Sequence, residues 1–98
     1  MARRRRFSDR PFGATMQQLL AETGLTYRQL AARTRLSAGY LNHIVHGNRP
    51  VPANEVIATL ADALGVEPEH FLEYRVRVIT EKLEALPDLV DRLYKKLG

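Results

Sequence analysis

Apolar residues in this chain recur at helical spacing almost from end to end. Phe12, Met16, Leu19 and Leu20 share one face of a first helix, and Gly24 stops it just past the last turn. Ser8-Asp9 ahead of Pro11 has the character of a helix start. Thr26 is a good N-cap for a short second helix, and Gln29, three residues on, completes a capping box. Leu30 and Ala31 then face inward, and Thr34-Arg35-Leu36 forms the connecting turn. Ser37 caps a third helix with Leu41, Ile44 and Val45 on one face, closed by Gly47-Asn48. In Arg49-Pro50-Val51-Pro52 each proline biases its predecessor away from helix, which predicts an extended loop. A fourth helix begins at Asn54 or Ala53, carries Val56, Ile57, Leu60, Ala61 and Leu64, and ends at Gly65. Glu67-Pro68-Glu69 opens a fifth, with proline and acid in the first turn where both are tolerated. No run of β-branched residues alternates with period two, so the expected fold class is all-α.

Beyond Phe71 the period changes. Leu72, Val76, Ile79, Leu83, Leu86, Val90, Leu93 and Leu97 alternate at spacings of four and three, an a/d heptad over the C-terminal third. Pro87 would clash with the preceding turn of a continuous helix, so the pattern predicts one helix to about Leu86 and another from about Asp88. This stripe suits a dimer interface; the plainer alternative is that these helices fold back onto the first five.

At 98 residues the chain holds one small domain, which argues against a two-lobed enzyme with a deep cleft. The lack of cysteine removes disulfides, thiol nucleophiles and thiolate zinc sites, and fits a reducing compartment. No apolar run approaches the roughly 18 residues of a membrane span. The basic N-terminus lacks the apolar core of a secretory signal, so a cytoplasmic location is expected. The net charge of +4 hides an asymmetry. Residues 1–49 carry nine arginines against Asp9 and Glu22, net +7, whereas residues 50–98 are net −3. One half is suited to a polyanion and the other to a different task. There is no Gly-rich phosphate loop, no nucleophile beside a plausible base and no carboxylate pair in an evident cleft, so neither enzymatic activity nor a cofactor is expected.

The span from Thr26 to Asn48 reads helix, short turn, helix. With Leu30-Ala31, Ser37, Leu41, Ile44 and Gly47-Asn48-Arg49, it resembles the Cro/repressor-like (Xre) helix-turn-helix family. Val51-Pro52, Leu60-Ala61 and Leu64-Gly65-Val66 match the family's later helices, and the resemblance covers about residues 12–73. It implies a five-helix lambda-repressor-like DNA-binding domain at 11–73, to which the arginine run adds a basic flexible arm at 1–10 and the heptad adds a helical extension at 74–98, read as the dimerisation element. It also implies a sequence-specific transcriptional regulator of double-stranded DNA, a repressor by default, with paired recognition helices in successive major grooves. Thr26, Tyr27 and Arg28 would then lie near the DNA backbone. Ser37, the turn residue, would also contact DNA, Ala38, Gly39, Asn42 and His43 would face the groove, Tyr40 would sit beside the backbone, and Asn48 and Arg49 would lie in the phosphate-contacting loop. Asn42 can pair bidentately with adenine, and His43 can donate to guanine.

Two departures from the family pattern narrow this picture. The first exposed recognition positions, often long and polar in the family, are Ala38 and Gly39, so direct readout rests on few side chains and DNA shape carries more. The Arg–Glu pair that commonly links the first and third helices is replaced by Leu20 and Val45, which leaves no stranded charge. Arg3, Arg4, Arg5 and Arg6 suit a minor groove or phosphates, or else form a solubilising tail. Tyr27 and Tyr40 alternatively serve as packing residues. His43 and His46, even with His70, lack the clustered carboxylates that would make a metal site. The competing functional reading is a protein-interaction module, antitoxin-like or an accessory factor, whose C-terminal helices bind a partner protein.

Overall fold

The computed structural model describes residues 7–98, which form six α-helices and one 3₁₀ turn with no strand among the described residues. The helices are α1 (Phe12–Thr23), α2 (Tyr27–Thr34), α3 (Ala38–Val45), α4 (Asn54–Leu64), α5 (Leu72–Glu84) and α6 (Pro87–Leu97), with the 3₁₀ turn at Pro68–His70. Local chemistry sets most of these ends. The Thr26 hydroxyl accepts from the Gln29 N–H at 3.1 Å while the Gln29 side chain accepts from the Thr26 N–H at 3.0 Å, the reciprocal box that starts α2. Ser37 accepts from the Tyr40 N–H at 3.0 Å and starts α3. Gly24 and Gly65 end α1 and α4 with φ of 74° and 78°, a region that costs a β-carbon-bearing residue but not glycine.

The inward faces of α1–α4 meet in one core. Phe12, Met16, Leu19, Leu30, Leu41, Ile57 and Leu60 are at most 1% exposed, and burying each such side chain contributes about 1.5–3 kcal/mol. Phe71 closes this core from below, its ring 5.4 Å from that of Phe12. α1 crosses α3 at Gly13, where a β-carbon would overlap the Val45 carbonyl oxygen.

Three boundaries differ from the sequence expectation. α1 starts at Phe12 with Pro11 as an N-cap that offers no side-chain bond; the Phe12 N–H instead donates to Glu73 Oε2 at 3.0 Å, 61 residues away. This acceptor satisfies one orphan donor and places a carboxylate at the positive end of the helix. Ser8 and Arg10, expected within the arm, are held to the head. The Ser8 N–H donates to the His70 carbonyl at 3.0 Å, the Ser8 and Thr15 hydroxyls lie 2.6 Å apart, and the Ser8 hydroxyl accepts from the Arg10 N–H. The fifth helix expected from Pro68 is only a 3₁₀ turn: Phe71 is extended, and α5 starts at Leu72. His70 and Phe71 are both buried at this break.

Pro87 splits the heptad region as its ring requires, though α5 already ends at Glu84. Leu86, immediately before the proline, is forced out of helical geometry to φ −132°, ψ 69°, and Pro87 opens α6. Leu86 therefore sits in the joint, and the stripe is divided into two shorter faces. α5 rests on α4 and the 3₁₀ turn, whereas α6 packs on α5. The extension draws the radius of gyration out to 15.6 Å, against about 13 Å for a compact chain of this length. The expected division at 73/74 falls in the first turn of α5, whose Glu73, Arg75 and Arg77 all bond to the head.

Candidate nucleic-acid interface

α2 and α3 are joined by three residues whose geometry is locked from inside. The buried Thr34 hydroxyl donates to the Leu30 carbonyl at 2.8 Å and accepts from the Leu36 N–H at 3.3 Å. Arg35 takes the left-handed conformation at φ 64°, and its N–H bonds the Ala31 carbonyl. This bend fixes the angle between the helices. Leu41, Ile44 and Val45 anchor α3 in the core, which leaves its opposite face outward.

That outward face carries Gly39, Asn42 and His43, all exposed, with Ala38 half-buried beside them. Nothing lies within 4 Å of a β-carbon placed on Gly39. The exposed Ser37 has its hydroxyl committed to capping. On the flanks, Thr26 and Arg28 at the start of α2 and Asn48 and Arg49 after α3 are exposed. Tyr27 and Tyr40 are half-buried and pack against the core. Arg3, Arg4, Arg5 and Arg6 lie outside the described residues. The start of α2, the outward face of α3 and the loop after it all lie within residues 26–49, which carry four arginines and no carboxylate.

His46 is an element of this site that the sequence pointed to only as a possible ligand. Its Nδ1 lies 2.9 Å from the Asn42 carbonyl, and its ring meets Tyr27 edge-on with centroids 6.5 Å apart. It links the end of α3 to the start of α2, and its position four residues after Asn42 was the available signal. No group of three or more metal-ligating side chains occurs among the described residues. His70, the third histidine, is buried in the 3₁₀ turn. Leu20 is half-buried against the core and Val45 is buried, as an apolar replacement for an ion pair requires. Leu20 also lines a shallow, open, mainly apolar groove with Gln17, Ala21, Leu25, Thr26 and Tyr27.

The second patch lies on α5 and α6. Neither helix has a fully buried residue. Val76, Ile79, Leu86, Val90, Tyr94 and Leu97 are 40–83% exposed, while Leu72, Leu83 and Leu93 are half-buried. Single exposed apolar residues are ordinary, but six along two consecutive helices and the joint between them form a patch that water solvates poorly. No helix of the described residues is long and apolar enough to cross a membrane.

Comparison with known proteins fits this geometry. Residues 11–73 match the family model described as a helix-turn-helix domain. A propionyl-CoA carboxylase regulator from Cereibacter sphaeroides is 37% identical over 79 residues, which cover 80% of this chain and 17% of that protein. The HTH-type transcriptional repressor RghR of Bacillus subtilis is 38% identical over 74 residues, covering 76% of this chain and 54% of the repressor. The chain therefore spans about a sixth and about half of these two relatives. The crystal structure of the clp gene regulator ClgR from Corynebacterium glutamicum superposes with a TM-score of 0.57 at 30% identity, covering 83% of each chain. The capped α2–turn–α3 unit, its polar outward face and the match over residues 11–73 together make the chain a member of the helix-turn-helix domain family.

Proposed function

We propose that the protein is a homodimeric, sequence-specific repressor that reads double-stranded DNA with α3. The observation that carries this reading is the outward face of α3, where Gly39, Asn42 and His43 stand free of internal packing between the exposed Arg28 and Arg49. The N-terminal part of α3 would enter the major groove, with Asn42 and His43 at base edges and Ala38 against a thymine methyl. Thr26, Tyr27, Arg28, Ser37, Tyr40, Asn48 and Arg49 would follow the sugar-phosphate backbone, and Arg3 to Arg6 would add minor-groove or phosphate contacts. Pairing through the apolar faces of α5 and α6 would set two such heads on successive major grooves about 34 Å apart. Occupying a promoter then blocks polymerase, which needs no ligand-sensing domain in this chain and suits a cytoplasmic protein.

The uncovered stripe on α5 and α6 also favours a second reading, in which these helices bind a different protein and DNA contact is secondary. Sedimentation of the purified chain alone, with and without duplex, separates the two. A dimer that binds duplex tightly without help supports the repressor. A monomer with only weak, sequence-indifferent binding supports the interaction module.

A further inference from the structure

The loop between α3 and α4 carries Arg49, and its central residues have no backbone–backbone hydrogen bonds of their own. Pro50 and Pro52 have no N–H to donate, and no backbone–backbone hydrogen bond involves residues 49–52 among the described residues. Val51 packs against the core and Pro52 is buried, and the loop's hydrogen-bonded anchoring comes from one side chain on a helix 25 residues away. Arg77 Nη1 donates to the Pro52 carbonyl at 2.6 Å and to Asn54 Oδ1 at 3.1 Å, and Nη2 donates to the Val51 carbonyl at 3.3 Å. A guanidinium presents its donors in a rigid planar fork, so one side chain can hold three acceptors at fixed mutual positions. Arg77 is half-buried, which strengthens these charge-assisted bonds relative to exposed ones. The same fork reaches the start of α4, whose N-cap, Ala53, has no polar side chain to cap with and whose first residue, Asn54, is held by Arg77 through its amide oxygen.

Arg77 sits directly after Val76 and two residues before Ile79, both of which belong to the exposed apolar face of α5. The helix that offers a pairing surface is thus the helix that holds the loop following the recognition helix. We infer that Arg77 is a positioning residue for DNA binding. It orders the Arg49–Pro52 loop so that Asn48 and Arg49 are presented beside α3, and it ties that presentation to α5. Its consequence for DNA rests on the proposed function above, whereas its consequence for the loop does not.

The test uses the full chain and the variants Arg77→Met and Arg77→Lys, with and without Arg49→Ala. One readout is the heteronuclear NOE of the Asn48, Arg49, Val51 and Ala53 amides, which reports picosecond-to-nanosecond order without any DNA. The other is affinity for a duplex selected by the wild-type chain, measured across a salt series. Arg77→Met should lower the loop NOEs while leaving α1–α3 unchanged, weaken duplex binding about fivefold to tenfold, and reduce the salt slope by about one. In the Arg49→Ala background the same substitution should weaken binding little further, because both changes remove one contact. Arg77→Lys should restore only part of the loop order, since an ammonium lacks the fork. Unchanged loop NOEs in Arg77→Met would overturn the inference whatever the chain does with DNA. Lowered NOEs with an additive loss on top of Arg49→Ala, and an unchanged salt slope, would overturn the link to DNA and leave Arg77 a stabilising residue only. A wild-type chain that selects no duplex would refute the proposed function, and would also overturn the link to DNA while the NOEs still decide the loop.

Discussion

Replacing Gly39 with alanine should make the protein more stable and a poorer DNA binder. Gly39 is the second residue of α3, exposed, with nothing within 4 Å of an added β-carbon. The methyl group therefore meets no steric cost inside the protein. Alanine in a helix interior is better than glycine by about 1 kcal/mol; so close to the helix start the gain should be about half of that. For a chain of this size, about 0.5 kcal/mol raises the melting temperature by about 2–4 °C. In the complex the outcome reverses. If α3 approaches the groove with Gly39 against DNA, the methyl intrudes on a close backbone contact, and misfits of that kind cost about 1–3 kcal/mol. At 1.4 kcal/mol per factor of ten, affinity for the preferred duplex should fall about tenfold. Thermal unfolding followed by circular dichroism and a fluorescence-anisotropy titration read the two effects separately. A higher melting temperature with unchanged affinity would refute the placement of Gly39 against DNA.

Other substitutions test the remaining parts of the account. Arg35→Gly should raise the melting temperature by relieving a left-handed conformation that costs a non-glycine residue about 1 kcal/mol; an unchanged or lower value would contradict the strain. Gly13→Ala should destabilise by about 1–3 kcal/mol, since its β-carbon would overlap the Val45 carbonyl where α1 crosses α3. A helix-propensity gain seen as a higher melting temperature would show that the crossing can yield. Ile79→Glu with Leu97→Glu should leave helicity and monomer folding intact, because both side chains are exposed in the single chain. The double variant should sediment as a monomer and bind duplex weakly; an unaltered dimer would place the interface elsewhere. Asn42→Ala and His43→Ala should erode discrimination between duplexes, whereas Arg49→Ala should weaken all duplexes alike.

What could be read from the sequence was what depends on neighbours along the chain. The Thr26–Gln29 box, the Ser37 cap and the Gly24 and Gly65 stops each involve residues within a few positions of one another, and each stands in the structure as expected. The start of α1 was misplaced toward Ser8-Asp9 because its acceptor is Glu73, brought in by tertiary folding. α4 begins at Asn54 as its sequence indicates, while the bond from Arg77 to the Asn54 amide comes from another helix. The break at Phe71 follows from a ring that fills the core beside Phe12, which no local propensity encodes. At the interface, outward positions on α3 were legible because Leu41, Ile44 and Val45 define the inward face by periodicity. The role of His46 in joining α3 to Tyr27, and of Arg77 in holding the loop, depended on contacts between elements.

The most direct test of the central claim is selection of bound sequences from a random pool of duplexes by the 98-residue chain alone. Two heads paired through α5 and α6 should enrich an inverted repeat whose half-sites lie about one helical turn apart, roughly 10–10.5 base pairs centre to centre. Affinity for it should fall steeply with salt. A pool that emerges unenriched, or enriched only in single sites bound by monomers, would contradict the account.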